Sequence, residues 1–243
     1  MLARVSSNAT VEGFDLGAGA VRFPLVPPER GSELALDALR LDAGTVFDLT
    51  DPVHDTLVFV HAGGGMLGDR TIDGDSGIVV ASGATETLRA GHEGLEAVYA
   101  TIGGAVDLHA PMGPSEPVVA VARVEASQAT GSRSFQVLHG PHNGSVRATS
   151  FVGYIPPGRA PWHYHLYDEI VWVLSGHGQL HVGERIEELG PGAAFRLHPR
   201  EVHVVENVQP AEELVVLGIF TPAGSPSAAY LTADVAEAYV FSR

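Results

Sequence analysis

The chain carries an internal repeat, and the repeat constrains its fold more than any other feature. Leu41–Leu67 (LDAGTVFDLTDPVHDTLVFVHAGGGML) lines up with Ile155–Leu180 (IPPGRAPWHYHLYDEIVWVLSGHGQL) with one residue of slack. Gly44 meets Gly158, Asp55 meets Asp168, and Gly63 and Gly65 meet Gly176 and Gly178. Downstream, Ser82-Gly83 meets Pro191-Gly192. An offset of about 113 within 243 residues leaves room for two similar units and little else. Both halves consist of short apolar runs, such as Leu57–His61, Gly77–Ala81, Ile170–Leu174 and Leu214–Phe220. The 29 glycines and 16 prolines fall between these runs, the texture of strands joined by turns. The sequence therefore predicts an all-β chain with one unit over 1–126 and a second over 127–243. The boundary is expected in the polar stretch Ser127–Ser134. Helical signals are sparse. Ser32–Leu41 has helix-favouring composition, but the repeat assigns it to a strand, and the Ala-rich stretch Ser225–Tyr239 allows one short helix.

Composition narrows the class of function. Fourteen Lys and Arg face 29 Asp and Glu, a formal charge of −15, so the basic footprint of a nucleic-acid or anionic-membrane binder is missing. There is no cysteine, which excludes disulfides, zinc–thiolate sites, iron–sulfur clusters and thiol nucleophiles. No apolar run approaches membrane-spanning length, and the segment MLARVSSNATVEGFDLG lacks the apolar core of a signal peptide. A cytoplasmic protein working on a small molecule is the expectation.

The chemistry concentrates in Gly158–His177. His163 and His165 are two apart, so on a strand they share a face. Glu169 has the same parity beyond a turn at Leu166–Asp168, so a returning strand sets its carboxylate beside the imidazoles. His203 follows a proline break at Pro199. A lone strand histidine is usually structural, and His-x-His alone is weak. The combination of His-x-His, a carboxylate, a glycine and a distant Pro…His…Asn207 is much rarer. Three imidazoles and one carboxylate make a ligand set for a divalent transition metal: Fe, Mn, Zn, Ni or Co.

At these residues the chain resembles the cupin superfamily. Gly158, His163, His165, Glu169 and Gly176 answer its first motif, and Gly192, Pro199, His203 and Asn207 its second. Two departures stand out. Gly158 is one residue nearer to His163 than usual, and Glu201 stands where the second motif has glycine. With the repeat, the resemblance covers about 41–110 and 150–220. It implies a bicupin: two double-stranded β-helix (jelly-roll) barrels, with metal at the centre of the second. It does not fix the reaction, because cupins include dioxygenases, decarboxylases, isomerases, hydrolases and binding proteins.

The N-terminal unit has lost the ligands. The positions of His163, His165 and Glu169 fall on Leu49 or Thr50, Asp51 or Pro52, and Asp55 or Thr56. His92 is the nearest counterpart of His203. Asp48, Asp51, His54 and Asp55 read as a solvated turn, and His61 and His109 as structural. Around the C-terminal site, candidate substrate contacts are Tyr154, Arg159, Tyr167, Arg196 and His198, with Val171, Val173 and Phe195 as apolar lining. His177, His181, His139 and His142 read as surface. Ile170, Trp172 and Leu174 form an apolar outer stripe that needs a cover, either the other unit or a second subunit, and this predicts a homodimer. The leading reading is a metal-dependent dioxygenase acting on a small organic molecule. The alternatives are a non-redox lyase, isomerase or amidohydrolase, and a non-catalytic small-molecule-binding cupin.

Overall fold

A computed structural model describes residues 5–104, 109–129 and 132–231. Among them the chain is almost wholly antiparallel β, with a 3-10 turn at Val121–Arg123. No described helix is long and apolar enough to cross a membrane. Residues 225–231, the described part of the stretch that allowed a helix, end in the short strand Tyr230–Leu231. Residues 232–239 of that stretch lie outside the described residues, as do 130 and 131 of the expected boundary.

Two five-strand paths repeat each other. In the first half, β1 (Ala20–Val26), β2 (Ala35–Leu41), β3 (Asp55–Leu67), β4 (Ser76–Val80) and β5 (Thr87–Ile102) lie in the order β1-β2-β5-β3-β4. In the second half, β6 (Ser134–His139), β7 (Thr149–Ile155), β8 (Asp168–Ser175), β9 (Ala194–Leu197) and β10 (Leu214–Thr221) lie in the order β6-β7-β10-β8-β9. Ser32–Leu41 thus contributes β2, as the repeat required and its composition did not. A further sheet of the second half contains the strands Gly178–Val182, His203–Asn207, His163–Tyr164 and Tyr230–Leu231.

The glycines shared by the repeat have a common physical role. Gly63 and Gly176 adopt φ of 71° and 86°, the left-handed region that L side chains avoid. At Gly65 and Gly178 a Cβ would run into the carbonyl oxygens of Arg89 and Glu206 on the neighbouring strand. In the first half the chain bends through these glycines by bulges and stays paired as one 13-residue strand. In the second half the strand ends at Ser175 and a new one starts at Gly178.

Alternation along the strands builds three apolar cores. One fills the first half around Leu39, Val58, Val60 and Ile78, and another fills the second around Val173, Leu180, Phe195 and Val205. The third joins the halves, bringing Leu36, Phe59 and Val98 against Ile170, Trp172 and Ile219. The outer stripe is therefore covered within the chain. Ile170 and Trp172 are buried, and the Trp172 ring lies 4.8 Å from that of His61. The stripe no longer argues for a second subunit. The chain also crosses between halves near its start, where Ser6 bridges to Ala194.

Candidate metal centre

Three strands converge on one buried cluster. His163 lies opposite His203 in register, and its ring centroid is 4.5 Å from that of His203 and 5.0 Å from that of His165. The three can each offer one ligand atom within 4.8 Å of the others. This is the only such group of metal-binding side chains among the described residues. Glu169 enters from β8, and its Oε2 lies 3.6 Å from Nε2 of His165. The carboxylate stands beside the group of three imidazoles rather than inside it.

The surroundings prepare the rings as ligands. The Nδ1 of His163 donates to the Pro161 carbonyl at 2.8 Å, and that of His203 to the Glu201 carbonyl at 2.8 Å. A carbonyl only accepts, so in both rings the proton sits on Nδ1 and the Nε2 lone pair is available. Burial pushes all three imidazoles below their usual range, His165 to about 3, which keeps them neutral. Burial also pushes the Glu169 carboxyl up to about 8, against the opposing charge of Arg133. Three neutral nitrogens and one carboxylate fit a divalent transition metal.

The unusual second motif closes by its own means. Arg200 takes the left-handed conformation at φ 65°, and the Glu201 Oε2 accepts from the His198 N–H at 3.2 Å. Glu201 therefore caps the turn in place of a glycine.

The imidazoles and Glu169 line a cavity of about 100 Å³. Its walls are mainly apolar, with Phe135, Phe151, Val171, Leu197 and Val205 prominent. Pro226, Ser227 and Ala229 close one side, and Tyr230 stacks on Tyr164 at 5.4 Å. Tyr164 faces this strap, away from the imidazoles, as its parity required.

Two of the five candidate substrate contacts line the cavity. Tyr154 does so with its hydroxyl 2.5 Å from Oε1 of Gln136, and Tyr167 lies between the rings of His165 and Phe220. The other three point elsewhere. Arg196 is buried at the junction of the halves, 2.7 Å from Asp168, and donates to the Pro27 and Leu34 carbonyls. Arg159 lies over the Trp162 ring on the exposed side, and His198 pairs with Glu29 at 3.2 Å. Of the expected lining, Val171 reaches the cavity, whereas Val173 and Phe195 belong to the core beside it. His139 and His181 are buried rather than on the surface; His181 lies 2.8 Å from Glu206. His92 is exposed and has no part in a site.

Sequence reasoning missed Arg133. It lines the cavity, and its charge acts on Glu169 and all three imidazoles. Its only sequence signal was a lone basic residue in a stretch assigned to the boundary.

Comparison with known proteins finds a match for this segment. Residues 150–220 match the cupin domain family. The cupin segment holds all four candidate ligands. No curated protein matches the sequence. Among solved structures, the chain is similar to oxalate decarboxylase from Bacillus subtilis at pH 4.6, with a TM-score of 0.76 and 15% identity, over 99% of this chain and 83% of that one. A second structure of the B. subtilis enzyme, described for its Mn(II) centres, gives a TM-score of 0.76 at 15% identity, covering 99% and 84%. A third, concerned with substrate binding and reaction specificity in oxalate decarboxylase, gives 0.76 at 16%, again covering 99% and 84%. At these identities the likeness is one of fold: an all-β, cupin-like architecture running through both halves.

Proposed function

We propose that the protein is a metal-dependent enzyme acting on a small organic acid. His163, His165, His203 and Glu169 would hold one divalent ion in the second of two barrels, 1–126 and 127–243. The observation that carries this reading is the convergence of three neutral imidazoles and Glu169 in an apolar cavity that also receives the guanidinium of Arg133. The ion, when bound, would supply a Lewis acid able to orient a substrate and share electrons with O2.

The chain's own residues supply the rest. Arg133 offers a planar, permanently charged fork for a carboxylate. Phe135, Phe151, Val171 and Leu197 exclude water, which strengthens every polar contact inside. Burial holds the Tyr167 phenol protonated, so it can donate but not serve as a base. Glu169 is the carboxyl lining the cavity. If it is committed to the ion, the described residues lining the cavity include no second carboxylate as a general base. That favours oxidative cleavage by a dioxygenase, whose electrons come from the bound substrate. Arg133 and the fold shared with a decarboxylase favour a second reading, a non-redox lyase acting on a carboxylic acid.

Metal content after purification without added metal, followed by O2 and CO2 measurements on small carbonyl and phenolic acids, tests the proposal. O2 uptake with turnover identifies a dioxygenase, and CO2 release without O2 uptake a lyase. Stoichiometric metal with neither would leave a binding protein. Changing Arg133→Gln should weaken any active acid at least tenfold while leaving metal content intact.

A further inference from the structure

The first half keeps a cavity where its metal ligands are missing. Thr56 pairs with Thr101 in β5 and Val80 in β4, as Glu169 pairs with Phe220 in β10 and Leu197 in β9. Thr56 is thus the structural counterpart of Glu169. Of the positions aligned with the two first-motif histidines (Leu49 or Thr50, and Asp51 or Pro52), Leu49, Thr50 and Asp51 border the same space. That space is about 530 Å³, larger than the metal cavity and within the range of small-molecule sites.

A different set of polar groups lines it. Asp37 and Tyr99 face each other across β2 and β5, in the register that Phe151 and Gly218 occupy in the second half. Arg22 reaches them from β1, with its guanidinium 3.9 Å from Asp37. The Arg22 Nε is shielded from solvent and has no acceptor. The guanidinium also hydrogen-bonds the Tyr99 side chain, and its half-exposed N–H groups border the space, where they can donate to a ligand oxygen. Asp37 can accept, the Tyr99 hydroxyl can do both, and Thr56 and Thr101 add two more hydroxyls. The rings of Phe47 and Tyr99, 5.8 Å apart, give an apolar wall.

Charge narrows the ligand. Glu33, Asp37, Asp48 and Asp51 border the cavity and outnumber Arg22, which disfavours an anion. The Arg22 guanidinium, 3.9 Å from Asp37, disfavours a cation beside that carboxylate. Asp48 and Asp51 already accept backbone N–H groups of their own turn, so they do not form a cation site. A neutral molecule with several hydroxyls matches alternating donors and acceptors beside an aromatic wall.

We propose that the N-terminal cavity is a metal-independent binding site for a neutral polyhydroxylated molecule of monosaccharide size, anchored by Arg22, Asp37 and Tyr99. The site is independent of the metal centre, so the test uses the full chain stripped of metal with EDTA. Calorimetry and saturation-transfer NMR would compare D-glucose, D-glucuronate and D-glucosamine as neutral, anionic and cationic probes of one shape. Glucose should bind at least tenfold more tightly than either charged probe. Arg22→Gln and Tyr99→Phe should each weaken glucose at least tenfold, and His203→Ala should leave it unchanged. Tyr99→Phe keeps the ring and removes only the hydroxyl; a thermal melt matching the parent checks that it folds. Absence of glucose binding would overturn the proposal. So would a preference for a charged probe, or binding that survives both N-terminal variants.

Discussion

The backbone N–H of Arg200 donates to the carbonyl oxygen of His165 at 2.6 Å. The bond ties the turn that delivers His203 to the segment that carries His165, so two ligands from distant parts of the sequence share one anchor. Arg200 makes it from a left-handed conformation, which a β-branched side chain tolerates poorly. Arg200→Val should therefore lose about 1–2 kcal/mol of stability, and Arg200→Gly should not. Arg200 is exposed, so urea denaturation reads the backbone effect without a burial term. Equal stabilities for the two variants would show that the turn is not under conformational constraint.

Removing one imidazole should remove the ion. His165→Ala and His203→Ala should fold and yet purify with less than a tenth of the parent's metal, by mass spectrometry of the ion. Stoichiometric metal in either variant would refute the ligand assignment.

Metal-free protein should have a distinctive pH profile. The folded imidazoles hold protons less readily than the unfolded ones, so their contribution is present above the ordinary value of 6.5 and is lost as pH falls below it. Glu169 has the opposite sign. Its pKa is raised from 4.5 to about 8, so its contribution is present at low pH and is lost as pH rises through about 8. With three imidazoles against one carboxyl, melting temperature should peak near neutrality and fall on both sides. Glu169→Gln should flatten the alkaline limb alone. Thermal melts of EDTA-treated protein from pH 4 to 9 would show an unchanged alkaline limb if the idea is wrong.

The junction between halves should be sensitive at two points. Arg196→Met strands the Asp168 carboxylate in a buried site and should lose about 3–5 kcal/mol. Adding Asp168→Asn should recover part of that loss, by denaturant titration. An additive double variant would mean that the two side chains do not interact.

Trp172→Ala removes the largest side chain of the joining core and should lose about 3–5 kcal/mol. Light scattering should give the same mass for parent and variant. A drop in mass without loss of stability would place Trp172 between subunits instead.

Much of the site was legible because strand parity is a strict rule. His163, His165 and Glu169 share a parity, and they reach one cavity. Applied to β9, the same rule sets Phe195 and Arg196 on opposite faces, so lining at Phe195 and a substrate contact at Arg196 were not compatible expectations. Phe195 lies in the inner core and Arg196 in the junction. Arg133 was not legible, because it reaches the cavity from just before β6, where no strand pattern leads. The covering of Trp172 was open for a related reason. A strand apolar on both faces demands a partner but does not name one.

The strap formed by Pro226, Ser227 and Ala229 comes after every candidate ligand in the order of synthesis. At roughly 5–20 residues per second, the interval between His203 and Ala229 leaving the ribosome is on the order of seconds. During it the imidazoles exist without the wall that later closes over them. The order of translation thus brings every candidate ligand out ahead of the strap that closes one side of their cavity.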